Sequence, residues 1–313
     1  MRYIEDIKDG DSVIGHYFCK TKQLMKSRAG KVYLSLVLTD KTGFLDAKVW
    51  DLNNQIHEFE QGEFIKVDGF ASTFNGDLQL KVTKIRRSLP GEYHQSDYVP
   101  TTKGDIEAMY LEITYAVESV QNPYLKALLV NIFSDQEILA KFKTSTAAKV
   151  MHHSYAGGLL EHTLAVVQIC DFLCKQYRDV FNRDLLITSA ILHDIGKIWE
   201  LVDFPENEYT DIGQLLGHVY MGAELVEKES AKIQGFPPSL AAVLKHCILS
   251  HHGEYEFGSP KLPSVVEAFV LHYCDNIDAK LFSFMDIIER DQSKGNWTGY
   301  NKMFGRYLRK TSE

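Results

Sequence analysis

The spacing of apolar residues changes once along this chain, and that change dictates the fold class. Up to about Ser88 the apolar residues alternate: Val32, Leu34, Leu36 and Leu38 share one face of "KVYLSLVLTD", and Leu45, Ala47 and Val49 share one face of "GFLDAKVW". A period of two marks strands with one buried side. From Asp105 onward apolar residues recur at helical spacing, in "LLEHTLAVVQICDFLCKQY", "DLLITSAILHDIGKIWEL", "LGHVYMGAELVEKESAKI", "SLAAVLKHCILSHH" and "PSVVEAFVLHYCDNIDAKLFSFMDII". Each is long enough to be a core helix. The 313 residues therefore read as a multidomain chain, with a small all-β unit over 1–88, a linker over 89–104 and an all-α unit over 105–313.

Turn cues at Asp40 to Gly43, at Gly62 and at Asn75-Gly76-Asp77 separate the first strands, the last cue being a hairpin signal between "FIKVDGFAS" and "LQLKVTKI". Five short strands in such a length predict a closed barrel of the OB-fold type. The stretch "LPGEYHQSDYVPTTKG" has no periodicity and reads as the linker. Asn182 or Asp184 before "LLITSA" and Pro237-Pro238-Ser239 before "LAAVL" are helix-start signals.

A net charge of −8 excludes a protein that coats nucleic acid by bulk electrostatics. The charge is uneven: residues 1–88 carry 14 Lys and Arg against 12 Asp and Glu, which leaves the remainder at −10. A slightly basic module beside an acidic one suits an anion site followed by a cation site. The five cysteines have no paired spacing and the first residues do not read as a signal peptide, so a reducing cytoplasm is expected. Cys170 and Cys174 read as packed small hydrophobes. No apolar run approaches the ~20 residues that span a bilayer, so no membrane partner is expected.

Nine of the twelve histidines fall between His152 and His272, several inside apolar helices where an unpaired polar group is costly. His162, the His193-Asp194 pair, His218, His251 with His252, and Asp275 each interrupt or end a different segment. Imidazoles and carboxylates on facing helices of a bundle converge readily on a metal, which compensates their burial. A set without cysteine suits Mn²⁺, Fe²⁺, Co²⁺ or Ni²⁺ better than closed structural zinc. Seven donors exceed the needs of one ion, so two ions about 3.5 to 4 Å apart, bridged by an aspartate, are expected, an arrangement suited to in-line displacement at phosphorus. Lys197, four residues after His193 and so on the same helix face, is the expected contact for the scissile phosphate. His246 and His272 are read as packing or surface residues.

The order His162, His193-Asp194, His218, His251-His252, Asp275 resembles the HD-domain metal-dependent phosphohydrolases in their two-metal form. With "DKTGFLDAKVW", "LHDIGK", "ILSHHGEYEFGSPKLP" and "DNIDAK", the chain is similar over essentially its whole length to the YhaM-type 3′-to-5′ exoribonucleases. That resemblance implies His162, His193, Asp194 and Asp275 around one ion, with Asp194 bridging to a second ion held by His218, His251 and His252. It also implies that "MHHSYAGGLLEH" forms the entry to the site, with His152 on the substrate and His153 protonating the leaving oxygen. The 3′-to-5′ polarity rests on the resemblance alone.

On the barrel, Phe44, Lys48 and Trp50 point outward if Leu45, Ala47 and Val49 point inward, and Tyr33 lies on the neighbouring strand. Aromatics beside a lysine make a stacking platform for single-stranded nucleic acid, extended by Phe74 and by Lys84, Arg86 and Arg87. The expected substrate is single-stranded RNA, with single-stranded DNA a further possibility. Rival readings are a hydrolase of small nucleotides or cyclic dinucleotides, and a catalytically silent RNA-binding protein, against which the complete ligand set argues. A homo-oligomer is permitted without any residue that specifies it.

Overall fold

Alternation in the first ninety residues becomes strands that close on themselves. The computed structural model describes residues 2–27, 30–53, 55–74, 77–149, 154–291, 293 and 295–311. Strands β1 (Ser12–Lys26), β2 (Val32–Asp40), β3 (Gly43–Val49), β4 (Phe64–Phe74) and β5 (Asp77–Arg87) form a closed barrel in the order β1-β2-β3-β5-β4. Among the described barrel strands β3 and β5 pair in parallel and the other pairs are antiparallel. Strand β1 serves two neighbours, because a bulge between Cys19 and Thr21 bends its first half onto β4 and its second onto β2. The alternating set Leu36, Leu38, Leu45, Ala47 and Val49 meets Ile65, Val67 and Leu80 inside. This is the OB-fold arrangement.

The chain divides into two compact units, Met1–Thr101 with Val202–Glu208, and Thr102–Leu201 with Tyr209–Glu313. Much of the stretch read as linker is ordered by its aromatics. Tyr93 stacks on Phe64 with centroids 4.1 Å apart, and buried Tyr98 donates its hydroxyl to the His16 carbonyl at 3.0 Å.

The second unit contains α1 (Ile106–Ser119), α2 (Pro123–Ser134), α3 (Gln136–Thr144), α4 (Gly158–Gln176), α5 (Arg183–Leu192), α6 (Lys197–Glu200), α7 (Asp211–Ser230), α8 (Pro238–Ser250) and α9 (Val266–Arg290). Asp105, Asn122, Asp135, Asn182 and Thr210 cap helix starts by accepting first-turn N–H groups. Of the two residues expected to start α5, Asn182 is the cap, while Asp184 accepts the N–H groups of Gln121 and Asn122 at 2.9 and 2.6 Å. The core joins Ile113, Leu128, Leu129, Ile132, Leu160, Val166, Leu186, Ile191 and Leu244. No helix among the described residues is long and apolar enough to cross a membrane.

Two expectations are corrected. The segment "DLLITSAILHDIGKIWEL" is two helices, because the chain turns at His193 to Gly196 between α5 and α6. Gly196 packs directly on α7, where a Cβ would lie 2.1 Å from the His218 carbonyl oxygen. The second unit is also not purely helical: β6 (Trp297–Asn301) and β7 (Arg306–Arg309) form a terminal hairpin. Buried Leu308 anchors it, and Lys310 pairs with Asp291 at 2.6 Å.

Candidate metal centre

Four of the five histidines of the cluster are oriented by what holds the far edge of the ring. His162, on α4 and fully buried, donates Nδ1–H to Asp278 Oδ2 at 2.7 Å. His193, in the turn after α5, donates to the Ala190 carbonyl at 2.8 Å, and His251, just beyond α8, to the Ile248 carbonyl at 2.7 Å. His218 follows Gly217, whose φ of 74° interrupts α7. The interruption directs the His218 backbone N–H to Glu200 Oε1 at 2.9 Å, and the ring Nδ1 meets the same carboxylate at 2.9 and 3.0 Å. In all four rings a carboxylate or carbonyl holds Nδ1 and turns Nε2 toward the cluster, the usual support of a metal-ligating histidine.

The four Nε2 atoms face both oxygens of Asp194. Oδ2 lies 3.5 Å from His162 and 3.4 Å from His193, and Oδ1 lies 3.4 Å from His218 and 3.5 Å from His251. Asp275 Oδ1 adds a contact of 3.2 Å to His162 Nε2. Donor atoms of His162, His193 and Asp275 lie within 4.8 Å of one another, as do those of His218, His251 and His252. All seven residues expected to bind metal are thus brought together.

The donors fit divalent cations. Asp194 Oδ1, His218 Nε2 and His252 Nδ1 are buried without a hydrogen-bond partner, which is costly unless something else satisfies them. Burial alone would raise the Asp275 carboxyl, yet the hydrogen bond from His162 holds it well below the usual carboxylate range. Burial would likewise raise Asp194, which the Lys197 and His193 charges hold down. For His162, burial works downward and is outweighed by Asp275 and Asp278, which push it up to about 9. Burial and the neighbouring His251 and His218 take His252 down to about 3, so its lone pair stays available. The cluster is an acceptor of positive charge.

Lys197 joins the cluster by a different route from the one expected. With the helix broken after Leu192, its ammonium reaches Asp194 Oδ2 at 2.6 Å, three residues back. His272 is buried and donates to the His251 carbonyl at 2.9 Å, which fixes the turn carrying His251 and His252. His246 accepts the Ser264 N–H at 2.9 Å, a packing role. His152 and His153 lie outside the described residues. Two carboxylates escaped the sequence reading, Glu200 on α6 and Asp278 on α9. Spacing carried a signal for both: Asp278 is one helical turn beyond Asp275, and Glu200 interrupts the apolar run "IWEL".

On the barrel, Phe44 and Phe74 are exposed, with Lys20 5.1 Å from the centre of the Phe44 ring. Tyr33 and Trp50 are half-buried and stack on each other at 4.4 Å, and Lys48 donates to Ser35 Oγ at 2.7 Å. The outward register continues from Ser35 through Lys48 and Lys81 to Phe70, which adds two exposed residues that were missed. Arg86 is a correction. Its guanidinium is closed on Glu92 by two bonds of 2.7 Å, and this contact, with the Leu89 N–H, takes the Glu92 carboxyl down to about 2. Arg87 pairs with Glu63 at 2.9 Å and Lys84 with Asp68 at 3.3 Å, so the expected basic track is neutralised locally.

Comparison with known proteins covers both units. Residues 159–280 match the HD domain model, and residues 20–87 match the OB-fold nucleic acid binding domain model. The 3′-5′ exoribonuclease YhaM of Geobacillus sp. is 37% identical over 85% of this chain and 80% of its own length. The protein of that name from Oceanobacillus iheyensis is 34% identical over 90% of this chain and 89% of its own. Similar over most of both chains to these relatives, the protein belongs to the YhaM family of 3′-5′ exoribonucleases.

Proposed function

We propose that the chain hydrolyses phosphodiester bonds of single-stranded RNA from the 3′ end, using two divalent ions, in the first instance Mn²⁺, held by the buried cluster. The observation that carries this reading is the convergence of four Nε2 atoms on both oxygens of Asp194. His162, His193, Asp194 and Asp275 would hold one ion and His218, His251 and His252 the other, with Asp194 facing both triplets. When bound, the ions supply an activated water and positive charge for in-line displacement at phosphorus. Lys197 fixes Asp194 and offers its ammonium to a non-bridging oxygen of the phosphate. Nitrogen and oxygen donors without thiolate favour Mn²⁺, Fe²⁺, Co²⁺ or Ni²⁺. Polarity follows the name of the curated relatives.

The barrel supplies sequence-tolerant binding through Tyr33, Trp50, Phe44 and Phe74, with Lys48 beside them. Stacking does not read the sugar, so single-stranded DNA is a second substrate. The free cysteines fit work in a reducing cytoplasm. RNA labelled on its 3′-terminal nucleotide tests the reading: the label leaves first as a mononucleotide with Mn²⁺ and stays on the RNA with EDTA. Label retained in long products under both conditions would contradict it.

A further inference from the structure

We infer that Glu200 and Asp278 are positioning residues, one for each metal position, and that they set the affinities of the two positions separately. The inference rests on the metal reading above.

Both carboxylates meet a ligand histidine on the ring edge turned away from the cluster. Glu200 is buried and takes hold of His218 twice, accepting the ring Nδ1–H and the backbone N–H through Oε1, both at 2.9 Å. The second of these bonds exists because Gly217 interrupts α7. Asp278 lies one turn beyond Asp275 on α9, and the two bracket His162, with Asp275 3.2 Å from Nε2 and Asp278 2.7 Å from Nδ1. His193 and His251 are held instead by carbonyls of their own helix ends, Ala190 and Ile248. Each triplet therefore contains one imidazole held by a carboxylate and one held by a neutral carbonyl. Both acceptors fix the tautomer, but only the carboxylate carries a charge that makes the opposite lone pair more basic. Its negative charge reaches each triplet once, through a different residue.

The test is Mn²⁺ uptake by the full chain in equilibrium dialysis, read as bound metal per chain and by electron paramagnetic resonance. Glu200→Gln and Asp278→Asn keep the shape and a hydrogen-bond acceptor while removing the charge. Wild type is expected to bind two ions in a coupled pair. Each variant should lose about 10- to 100-fold in affinity at one position only, and its spectrum at limiting Mn²⁺ should become that of an isolated ion. Thermal melts of the metal-free proteins check folding, and Asp278→Asn decides alone should Glu200→Gln not fold. Wild-type uptake by both variants, or equal weakening of both positions by either one, would overturn the assignment. Wild type that takes up no Mn²⁺ would overturn the metal reading itself and this assignment with it.

Discussion

Lys197 Nζ lies 2.6 Å from Asp194 Oδ2, both side chains being nearly inaccessible to solvent. The pair sits where α5 gives way to α6, so the turn that carries His193 into the cluster also brings the ammonium onto the carboxylate. Lys197→Met should lower kcat by about 10² to 10³-fold, the usual effect of removing one donor to a developing charge. Metal content should remain at two ions per chain. Hydrolysis at the wild-type rate would show that the lysine only neutralises Asp194.

Asp194 faces both triplets, so Asp194→Asn should affect both. Loss of several kcal/mol of transition-state stabilisation corresponds to about 10³-fold or more in rate. Far-ultraviolet circular dichroism should be unchanged. A variant with ordinary activity would contradict the bridging role.

Metal should also stabilise the helical unit. An ion present at about 100 times its dissociation constant adds about 2.7 kcal/mol, which raises Tm by about 5 to 10 °C in a unit of this size. Melting scans with Mn²⁺ and with EDTA give the difference directly. Coincident transitions would argue against binding to the folded cluster.

Gly196 allows the turn to lie against α7. Gly196→Ala brings a methyl within 2.1 Å of the His218 carbonyl oxygen, and overpacking of this kind costs about 1 to 3 kcal/mol. Urea titration should show the loss, together with weaker Mn²⁺ binding. A neutral effect would mean that the turn has room the packing does not reveal.

Residues of the barrel separate by what already holds them. Trp50→Ala should weaken single-stranded RNA binding by about 1 kcal/mol or more, one lost stack. Lys81→Ala should reduce the salt dependence by about one phosphate contact. Arg86→Ala should change little, because Glu92 already occupies its guanidinium. Fluorescence anisotropy at several salt concentrations distinguishes the three, and a large loss in Arg86→Ala would reverse their order.

What was legible in the sequence depended on whether a side chain's role is local. Alternation in β2 and β3 and the polar interruptions at His162, His218 and Asp275 are local signals, and they carried the barrel and the ligands. The break after Leu192 is not local, since its apolar pattern continues across the turn and only the approach of Gly196 to His218 imposes it. Glu200 and Asp278 carried a signal in their spacing, but their partners His218 and His162 lie on other helices and are set only by the fold. Arg86 looked free because Glu92, its partner, lay in a segment with no periodicity. The β6–β7 hairpin was missed because Trp297, Tyr300 and Tyr307 are exposed and its buried face is short.

The most direct measurement is a time course on 5′-labelled single-stranded RNA with Mn²⁺, run beside EDTA and Asp194→Asn. The account predicts a ladder that shortens steadily from the 3′ end with Mn²⁺ and intact RNA in both controls. RNA left intact with Mn²⁺, or a ladder that persists in Asp194→Asn, would contradict it.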